Sequence, residues 1–243
     1  MKNTAIIIPT RLGAKRFPNK PLAKINNIPM IIHVLNRAKE SKVGDVFVAT
    51  PDNEIFEVVK ANGGNAILTK KNHLSGSDRI YEVYLKELKN NFDLIINLQG
   101  DMPNIKPNSI AKLTELMRKN SCDIGTLSSH ILNKEDIANP NIVKVNTKQI
   151  LKDESFIEAK DFFRIKKDLE KNKIYHHIGI YAFTSVALTK YVKLERSKLE
   201  IERDLEQMRA IQNNLLLRVG LSDSVPLGVD VEKDIEKVIK EMA

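Results

Sequence analysis

The sequence has very little cysteine and few aromatic residues, and both shortages limit what the protein can be. Cys122 is the single cysteine among 243 residues, so the chain forms no internal disulfide and no cysteine-based zinc cluster. A lone thiol fits a reducing compartment. Tryptophan is absent and aromatic residues make up 5% of the chain, which leaves few rings on which nucleic-acid bases could stack.

Long apolar runs are missing as well. No segment approaches the roughly 20 residues that a membrane-spanning helix needs, and the amino terminus has no secretion signal. We therefore expect a cytoplasmic protein without a membrane partner. The hydrophobic fraction of 42% is that of a globular protein, and the length predicts one domain over residues 1–243.

The formal net charge of +8 would permit a nucleic-acid surface if the cations were grouped. Most lysines are instead dispersed among acids on helical faces, as in residues 164–173 and 232–240. A small polyanionic substrate therefore fits the sequence better than DNA or RNA.

Short apolar strands alternate with helical patterns through the first half of the chain, which is typical of a sheet built from βαβ units. The pattern predicts strands at 4–9, 45–49, 65–68 and 93–98 and helices at 29–40, 53–61, 78–90 and 108–119. Further along it predicts strands at 123–129, 142–146, 176–183 and 215–219 and helices at 185–192, 202–213 and 231–241. This order indicates an α/β fold with a Rossmann-like sheet flanked by helices.

The pattern changes between Lys148 and Lys173, where the chain is charged and its apolar residues are loosely spaced. This stretch separates the βαβ half from the strand HHIGIYAF. We interpret residues 148–175 as a small excursion from the sheet, used in dimerisation or as a lid.

A basic loop follows the first strand, in the stretch IIIPTRLGAKRFPNKPL at residues 6–22. It carries four cations and no acid: Arg11, Lys15, Arg16 and Lys20. Guanidinium and ammonium groups suit phosphate oxygens, and open α/β sheets bind ligands at the carboxyl ends of their strands. A solvated basic turn is the alternative. Because the loop is neither a Walker A loop nor GxGxxG, its pattern alone predicts a phosphate site and nothing narrower.

Two aspartates are candidates for binding a metal ion. Asp101 ends the strand segment IINLQGDMP, and its carboxylate can bind Mg²⁺, a hard ion that prefers oxygen ligands. Asp230 lies in PLGVDVEKDIE, just before a predicted helix. The alternatives are a polar turn for Asp101 and an amino-terminal helix cap for Asp230. If the two segments meet, their carboxylates would suit a Mg²⁺ that bridges substrate phosphates.

Two further segments are candidates for ligand binding. LSGSDRIYE, residues 74–82, places hydroxyls and Arg79 at a helix start, where an anion can bind, although a helix cap at Ser77 explains the serine equally well. His176 and His177 open a strand and should face opposite sides of the sheet, one of them towards a substrate. The sequence has no HExxH motif, nucleophile elbow or Cys–His arrangement, so covalent hydrolysis has little support.

Taken together, these segments resemble the CMP-Kdo synthetases, nucleotidyltransferases that activate 3-deoxy-manno-octulosonate (Kdo) with CTP. The resemblance extends nearly end to end and is carried by the first basic block together with VATPD at 48–52, GSDR at 76–79, NLQGDMP at 97–103, NPNIVKV at 139–145, HIGIYAF at 177–183, LEQMR at 205–209 and GVD at 228–230. It implies a cytoplasmic homodimer that uses Mg²⁺ and transfers CMP from CTP to the anomeric hydroxyl of Kdo, for lipopolysaccharide biosynthesis.

The same resemblance implies roles for individual residues. The nucleotide would contact Pro9, Thr10, Arg11, Arg16, Lys20, Ser75, Gly76, Ser77, Arg79 and Gln99. The acid sugar would contact Gln99, Arg164, His177, Tyr181, Glu206 and Gln207. Asp101 and Asp230 would hold Mg²⁺, and with Arg11 and Lys20 they form the implied catalytic set.

The chain departs from the family pattern in two places. It has Ala14 and Lys15 where the family usually has serine and threonine beside the phosphates. The family segment YFSRxxIP is replaced by AKDFFRIKK at 159–167, which keeps Phe162 and Arg164. Two alternatives therefore stay open: a cytidylyltransferase for another acid sugar, such as 8-amino-Kdo or a sialic-type acid, and a catalytically silent CTP-binding relative.

Overall fold

The computed structural model describes residues 3–13, 16–89, 91–131, 133–165 and 173–242. Its strands are β1 (Thr4–Pro9), β2 (Lys24–Ile25), β3 (Ile28–Pro29), β4 (Asp45–Thr50), β5 (Asn65–Leu68), β6 (Leu94–Asn97), β7 (Ile124–Ser129), β8 (Lys144–Thr147), β9 (Phe156–Phe163), β10 (Ile174–Thr184) and β11 (Leu217–Leu221). Its helices are α1 (Met30–Glu40), α2 (Asn53–Ala61), α3 (Gly76–Val83), α4 (Pro107–Lys119), α5 (Lys134–Ala138), α6 (Ser185–Tyr191), α7 (Lys198–Arg203), α8 (Gln207–Gln212) and α9 (Asp234–Met242).

The chain divides into two compact units. The first comprises Met1–Ala111 with Pro226–Ala243, and the second comprises Lys112–Val225. The prediction of one domain over residues 1–243 stays a prediction. No helix in the described ranges has both the length and the hydropathy needed to cross a membrane.

The first unit contains a parallel sheet whose strands lie in the order β5-β4-β1-β6. All six residues of β1 are buried, as expected of a strand covered on both faces. The order reverses at β1, because β4 pairs with one of its edges and β6 with the other. Ligands of open α/β sheets bind at such a reversal, beyond the carboxyl ends of the strands. The loops after β1 and β6 therefore lie where a site is expected.

Helices pack on this sheet as the spacing of their apolar residues predicts. In α1, Met30, Ile31, Val34, Leu35 and Ala38 are all buried. Helix α3 begins at Gly76 instead of residue 78, and beyond Val83 the chain continues as a π-helical turn over Tyr84–Leu88.

The amino-terminal cap of α3 is Ser75. Its hydroxyl accepts the N–H of Asp78, whose carboxylate accepts the N–H of Ser75 in return, which is a capping box. The alternative interpretation of Ser77 as the helix cap is therefore wrong, because that residue lies buried inside the first turn.

The second unit contains a closed ring of strands. β7 pairs with β10 and β11, β9 pairs with β11 and β8, and β8 pairs with β10, which completes the ring. Residues 156–163 were expected to leave the sheet, but they form β9. The excursion is therefore wrong for this part of 148–175, while residues 166–172 lie outside the described residues.

The helix expected at 202–213 is two helices. Helix α7 ends at Arg203, and Asp204 follows in the left-handed conformation with φ of 52°, which no continuous α-helix allows. Helix α8 begins at Gln207. The break places Glu206 and Gln207 at the start of a new helix instead of the middle of a charged one.

Candidate functional site

The loop after β1 is anchored by hydrogen bonds to β4 and to Asp52, which follows that strand. The N–H of Thr10 donates to the carbonyl of Ala49, at 3.0 Å, and the N–H of Leu12 donates to Oδ2 of Asp52, at 2.7 Å. Arg11, between them, is exposed. Asp52 lies in the VATPD segment, and its role in holding this loop was not predicted. Ala14 and Lys15, where the chain departs from the family, lie outside the described residues.

Two cations of the loop contact the two candidate metal ligands. Lys20 Nζ donates to Oδ2 of Asp101, at 3.0 Å, and to the carbonyl of Val229, at 2.7 Å. Arg16 donates to Oδ1 of Asp230, at 2.7 Å. The N–H of Val229 also donates to the carbonyl of Asp101, at 3.0 Å. The basic loop and both acidic segments therefore meet within the first unit.

Asp230 does not cap a helix in this structure. Helix α9 begins at Asp234, and the Asp234 carboxylate accepts the N–H groups of Asp230 and Val231, each at 3.1 Å. The capping alternative is therefore wrong. This arrangement leaves the carboxylate of Asp230 to face the basic loop, where it pairs with Arg16.

The ion pairs Arg16–Asp230 and Lys20–Asp101 differ in how easily a ligand can displace them. The side chains of Arg16 and Asp230 are 67% and 54% exposed, and such a pair contributes about 0–1 kcal/mol, so an incoming ligand displaces it easily. Lys20 is 15% exposed and has two partners. It is therefore held in place, with its charge beside the carboxylate of Asp101.

The acidic residues here suit a hard cation that takes its remaining ligands elsewhere. The described residues contain no group of three or more His, Cys, Asp or Glu side chains arranged to hold a metal ion. Asp101 and Asp230 supply carboxylate oxygens only, which is the chemistry that Mg²⁺ prefers, and Mg²⁺ commonly completes its shell with substrate phosphates and water. The donor set therefore fits Mg²⁺ bound together with a phosphorylated substrate.

The other predicted nucleotide-binding segments lie against the start of the basic loop. A Cβ added at Gly76 would lie 3.2 Å from the ring of Pro9 and 3.7 Å from Oε1 of Gln99. One added at Gly100 would lie 3.2 Å from the carbonyl oxygen of Pro9 and 3.3 Å from the hydroxyl of Thr10. The glycines thus allow three chain segments to approach closely. The structure brings together Pro9, Thr10, Gly76 and Gln99, and their role in binding the nucleotide stays a prediction.

Arg79 has a structural role that the sequence did not indicate. Its buried guanidinium donates to the hydroxyl of Thr69 and to the carbonyl of Lys70, the latter at 3.0 Å. Burial, and then the nearby charge of Arg11, lower the pKa of Arg79. This side chain therefore attaches Thr69 and Lys70, which precede α3 in the sequence, to that helix.

Glu82, one helical turn beyond Arg79, attaches the same segment. Its carboxylate accepts the N–H of Lys70 at 3.0 Å, a hydrogen bond from His73, and one from Lys86 Nζ at 2.5 Å. Burial raises the pKa of Glu82, but these hydrogen bonds outweigh it and hold the pKa at about 2. This network was not predicted, because in the sequence Glu82 resembles any other acid on a helix.

The second unit brings together several of the predicted sugar-binding residues. His177 and Tyr181 both lie on β10, and their ring centroids are 5.4 Å apart. Between them the β10–β7 register shifts, so that His177 lies opposite Ser128 and Tyr181 opposite Thr126. Bulges of this kind often redirect side chains next to active sites.

Burial sets the charge state of both rings. It lowers the pKa of His177 to about 3, with a small contribution from His176, so the imidazole is neutral near pH 7. Burial also raises the pKa of Tyr181 well above its ordinary value, and the nearby Tyr191 and Glu206 raise it further.

A buried network lies at the break between α7 and α8 and holds the backbone of Glu206. The Tyr191 hydroxyl donates to the Glu206 carbonyl, at 2.9 Å. Arg209 donates to both carboxylate oxygens of Glu200, at 2.8 and 2.6 Å, and its guanidinium lies 4.8 Å from the centre of the Tyr191 ring. This ion pair is almost completely buried. The LEQMR motif thus contains a structural residue, Arg209, besides its two predicted ligands.

Arg164 is occupied by backbone contacts in this structure. Its guanidinium donates to the carbonyls of Pro140 and Asn141, at 3.2 and 3.4 Å, and its own carbonyl accepts from the buried Lys144, at 2.7 Å. It also lines a cavity of about 340 Å³ with Arg203 and others. Gln99 belongs to the first unit, whereas the remaining predicted sugar ligands belong to the second. Their grouping around one sugar stays a prediction.

Known proteins share both the sequence and the fold of this chain. A family model described as cytidylyltransferase matches residues 5–221. The 3-deoxy-manno-octulosonate cytidylyltransferase of Bartonella bacilliformis is 40% identical over 239 residues, which cover 98% of each chain. The protein of the same name from Brucella canis is 41% identical over 235 residues, covering 96% of this chain and 93% of that protein.

A solved structure agrees with these sequence comparisons. CMP:2-keto-3-deoxy-manno-octonic acid synthetase complexed with CTP superposes with a TM-score of 0.90 at 34% identity, covering 99% of this chain and 98% of that one. The chain therefore belongs to the cytidylyltransferase family, and within it to the 3-deoxy-manno-octulosonate cytidylyltransferases. The predicted α/β nucleotidyltransferase fold and the predicted family are confirmed.

Proposed function

We propose that the protein transfers CMP from CTP to the anomeric hydroxyl of Kdo and releases pyrophosphate. The observation that supports this most directly is the meeting of the basic loop with two carboxylates at the carboxyl ends of β1 and β6. That arrangement offers cations for a triphosphate and oxygen ligands for Mg²⁺ within one site. Relatives about 40% identical over almost the whole chain bear the name of this activity.

In this proposal the first unit binds CTP. Arg11, Arg16 and Lys20 bind the triphosphate, while Pro9, Thr10, the start of α3 over Ser75–Arg79 and Gln99 surround the nucleoside. Because Lys20 is held between Asp101 and Val229, it offers its charge without a large rearrangement. Arg16 exchanges an exposed carboxylate partner for phosphate oxygens.

The reaction itself needs positioning and charge neutralisation. The oxygen of the anomeric hydroxyl forms a bond to the α-phosphorus of CTP, the bond from that phosphorus to the departing pyrophosphate breaks, and the hydroxyl proton passes to water. The cations of the basic loop stabilise negative charge on the phosphoryl oxygens as this happens. Asp101 and Asp230 would hold Mg²⁺, which when bound neutralises further phosphate charge.

The acid sugar is assigned mainly to residues of the second unit. His177, Tyr181, Glu206 and Gln207 are proposed as its ligands, with Arg164 and Gln99 as further contacts. At neutral pH both rings are uncharged. They therefore suit the hydroxyl groups of a sugar.

A second candidate is the same reaction on another acid sugar. The replacement of the YFSRxxIP segment by AKDFFRIKK motivates it, since this segment contributes Arg164. The test is pyrophosphate release from CTP with Kdo, with its 8-amino analogue and with a sialic acid. Turnover with Kdo at the highest kcat/KM supports the proposal, and a preference for one of the other acids transfers it to that sugar. CTP binding without turnover on any of them would show a silent relative.

The metal role is tested with Asp101→Asn. We expect turnover to fall by about 10²-fold or more with an unchanged circular dichroism spectrum, because one of the two oxygen ligands has lost its charge. Asp45→Asn is the control, since Asp45 begins β4 and so lies at the opposite end of the parallel strands. Near-normal turnover of Asp101→Asn would contradict the metal role.

A homodimer and a cytoplasmic location are further expectations, to be tested by light scattering and by cell fractionation.

A further inference from the structure

His177 has one polar neighbour that decides where its proton lies. Its Nε2 is 3.0 Å from the hydroxyl oxygen of Thr126, a fully buried residue on β7. Within the described part of the chain this is the one hydrogen bond of the imidazole. The ring is also fixed on its faces and edges, since its centroid lies 5.0 Å from that of Phe162 and 5.4 Å from that of Tyr181.

The hydroxyl proton of Thr126 is already committed to the bulge in β10. The hydroxyl lies 2.7 Å from the carbonyl of Ile180 and 3.1 Å from that of Ile178, at the register shift. Carbonyl oxygens can only accept hydrogen bonds, so the single hydroxyl proton points to them. Towards His177 the hydroxyl oxygen must therefore act as the acceptor.

The opposite assignment would break the hydrogen bonds that Thr126 donates to two buried residues. If Nε2 of His177 were unprotonated, the Thr126 proton would have to turn to it, and the carbonyls of Ile178 and Ile180 would lose the hydrogen bond from this hydroxyl. Both residues are buried, where the loss of a hydrogen bond is costly. The neutral state of the imidazole, with a pKa of about 3, excludes a proton on both nitrogens near pH 7.

We propose that Thr126 is a positioning residue that fixes His177 as the Nε2–H tautomer, so that Nδ1 offers a lone pair to a hydroxyl group of the acid sugar. This rests on the proposed function, and it specifies the contact. His177 recognises a hydrogen-bond donor on the sugar, and it does not bind the sugar's carboxylate, which would require a protonated nitrogen.

The tautomer is measured first, on the protein without substrate. Nitrogen-15 NMR of histidine-labelled protein, with the His177 signals assigned by comparison with His177→Gln, should show a protonated Nε2 and an unprotonated Nδ1 at pH 7. The reverse pattern, or two protonated nitrogens, would overturn the proposal. Because no catalysis is involved, this result stands whether or not the protein turns over Kdo.

The contact with the sugar is measured next, by adding Kdo to the same sample. We expect the His177 signals to shift while Nδ1 stays unprotonated. A doubly protonated ring would mark a carboxylate partner and overturn the proposal. In a protein that turns over Kdo, unchanged His177 signals would overturn it as well.

Variants of Thr126 test the positioning role. Thr126→Val removes the hydroxyl with little change in shape, and it should raise the KM for Kdo by about tenfold while leaving the KM for CTP unchanged. Thr126→Ser keeps the hydroxyl and should restore the KM for Kdo. Thr147→Val is the matched control, since Thr147 is equally buried and its hydroxyl donates to the carbonyl of Gln149, at 2.6 Å. Equal effects of both valine variants on both KM values would refute the role. If Thr126→Val does not fold, the NMR measurement on the natural protein decides.

Discussion

Replacing Glu82 by glutamine should destabilise the protein, because its charge holds three hydrogen-bond donors, two of them in the segment that precedes α3. The carboxylate accepts hydrogen bonds from the Lys70 N–H, from His73 and from Lys86. Its side chain is 9% exposed, so little water is available to replace them. Glutamine has nearly the same shape but offers a single neutral oxygen acceptor.

The expected size of the effect follows from the pKa of Glu82. A pKa of about 2 instead of the ordinary 4.5 corresponds to about 3 kcal/mol of stability for the ionised form. Lys86 is 52% exposed, and solvent screening reduces its share, so we expect about 2 kcal/mol. Because the folded-state pKa is depressed, this stability is present above pH 4.5 and is lost as the pH falls from 4.5 towards 2.

The assay is urea unfolding followed by circular dichroism at pH 7 and at pH 3. Glu82→Gln should unfold at lower urea at pH 7, and its difference from the natural protein should shrink to about half at pH 3. Glu115→Gln is the control, since Glu115 also pairs with a lysine one turn away but is 57% exposed, and it should leave stability unchanged. A difference for Glu82→Gln below about 0.5 kcal/mol at pH 7, or one that grows on acidification, would refute the reasoning.

Two further predictions concern the thiol and one tight glycine. Burial raises the pKa of Cys122 to about 12, so at pH 8 the folded protein should react with a thiol reagent roughly 10³-fold more slowly than the urea-unfolded protein; similar rates would contradict this. A Cβ at Gly44 would lie 1.9 Å from the carbonyl oxygen of Thr4, so Gly44→Ala should lower stability by about 2 kcal/mol or more in thermal unfolding. Gly228→Ala is its control, because no atom lies within 4 Å of the added carbon, and equal melting temperatures for both variants would contradict the prediction.

Features of the chain that depend on neighbouring residues could be predicted from the sequence. The buried strand β1 and the apolar face of α1 follow from local periodicity, and both are confirmed. The basic loop and the segment around Asp101 were placed at the same end of the sheet, because parallel strands bring their carboxyl ends together. Contacts between residues that are far apart in the sequence could not be predicted from local periodicity. Arg16 and Asp230 are 214 residues apart in the sequence, and their pairing depends on the fold.

β9 was missed because its charged residues hide its alternation. Glu158 and Asp161 make the segment resemble a solvated stretch, yet Glu158 pairs with Lys148 at 2.7 Å and Asp161 with Arg203 at 2.5 Å. Because each carboxylate has a cationic partner, these charged side chains can lie on a strand of the ring. Thr126 gave no signal for a similar reason, since its importance lies in which carbonyls it reaches and not in its residue type.

The closed ring of strands in the second unit affects how the protein behaves before it is fully folded. Within the described strands of that unit, each strand of the ring pairs with two others, and every pairing covers a stretch of strand edge that would otherwise be open to another chain. The ring is completed where β8 meets the first residues of β10, through Lys144, Val145 and Asn146. A substitution that weakens this junction would open two edges at once. We therefore expect such variants to appear as aggregated protein during expression, even when the purified fraction remains active.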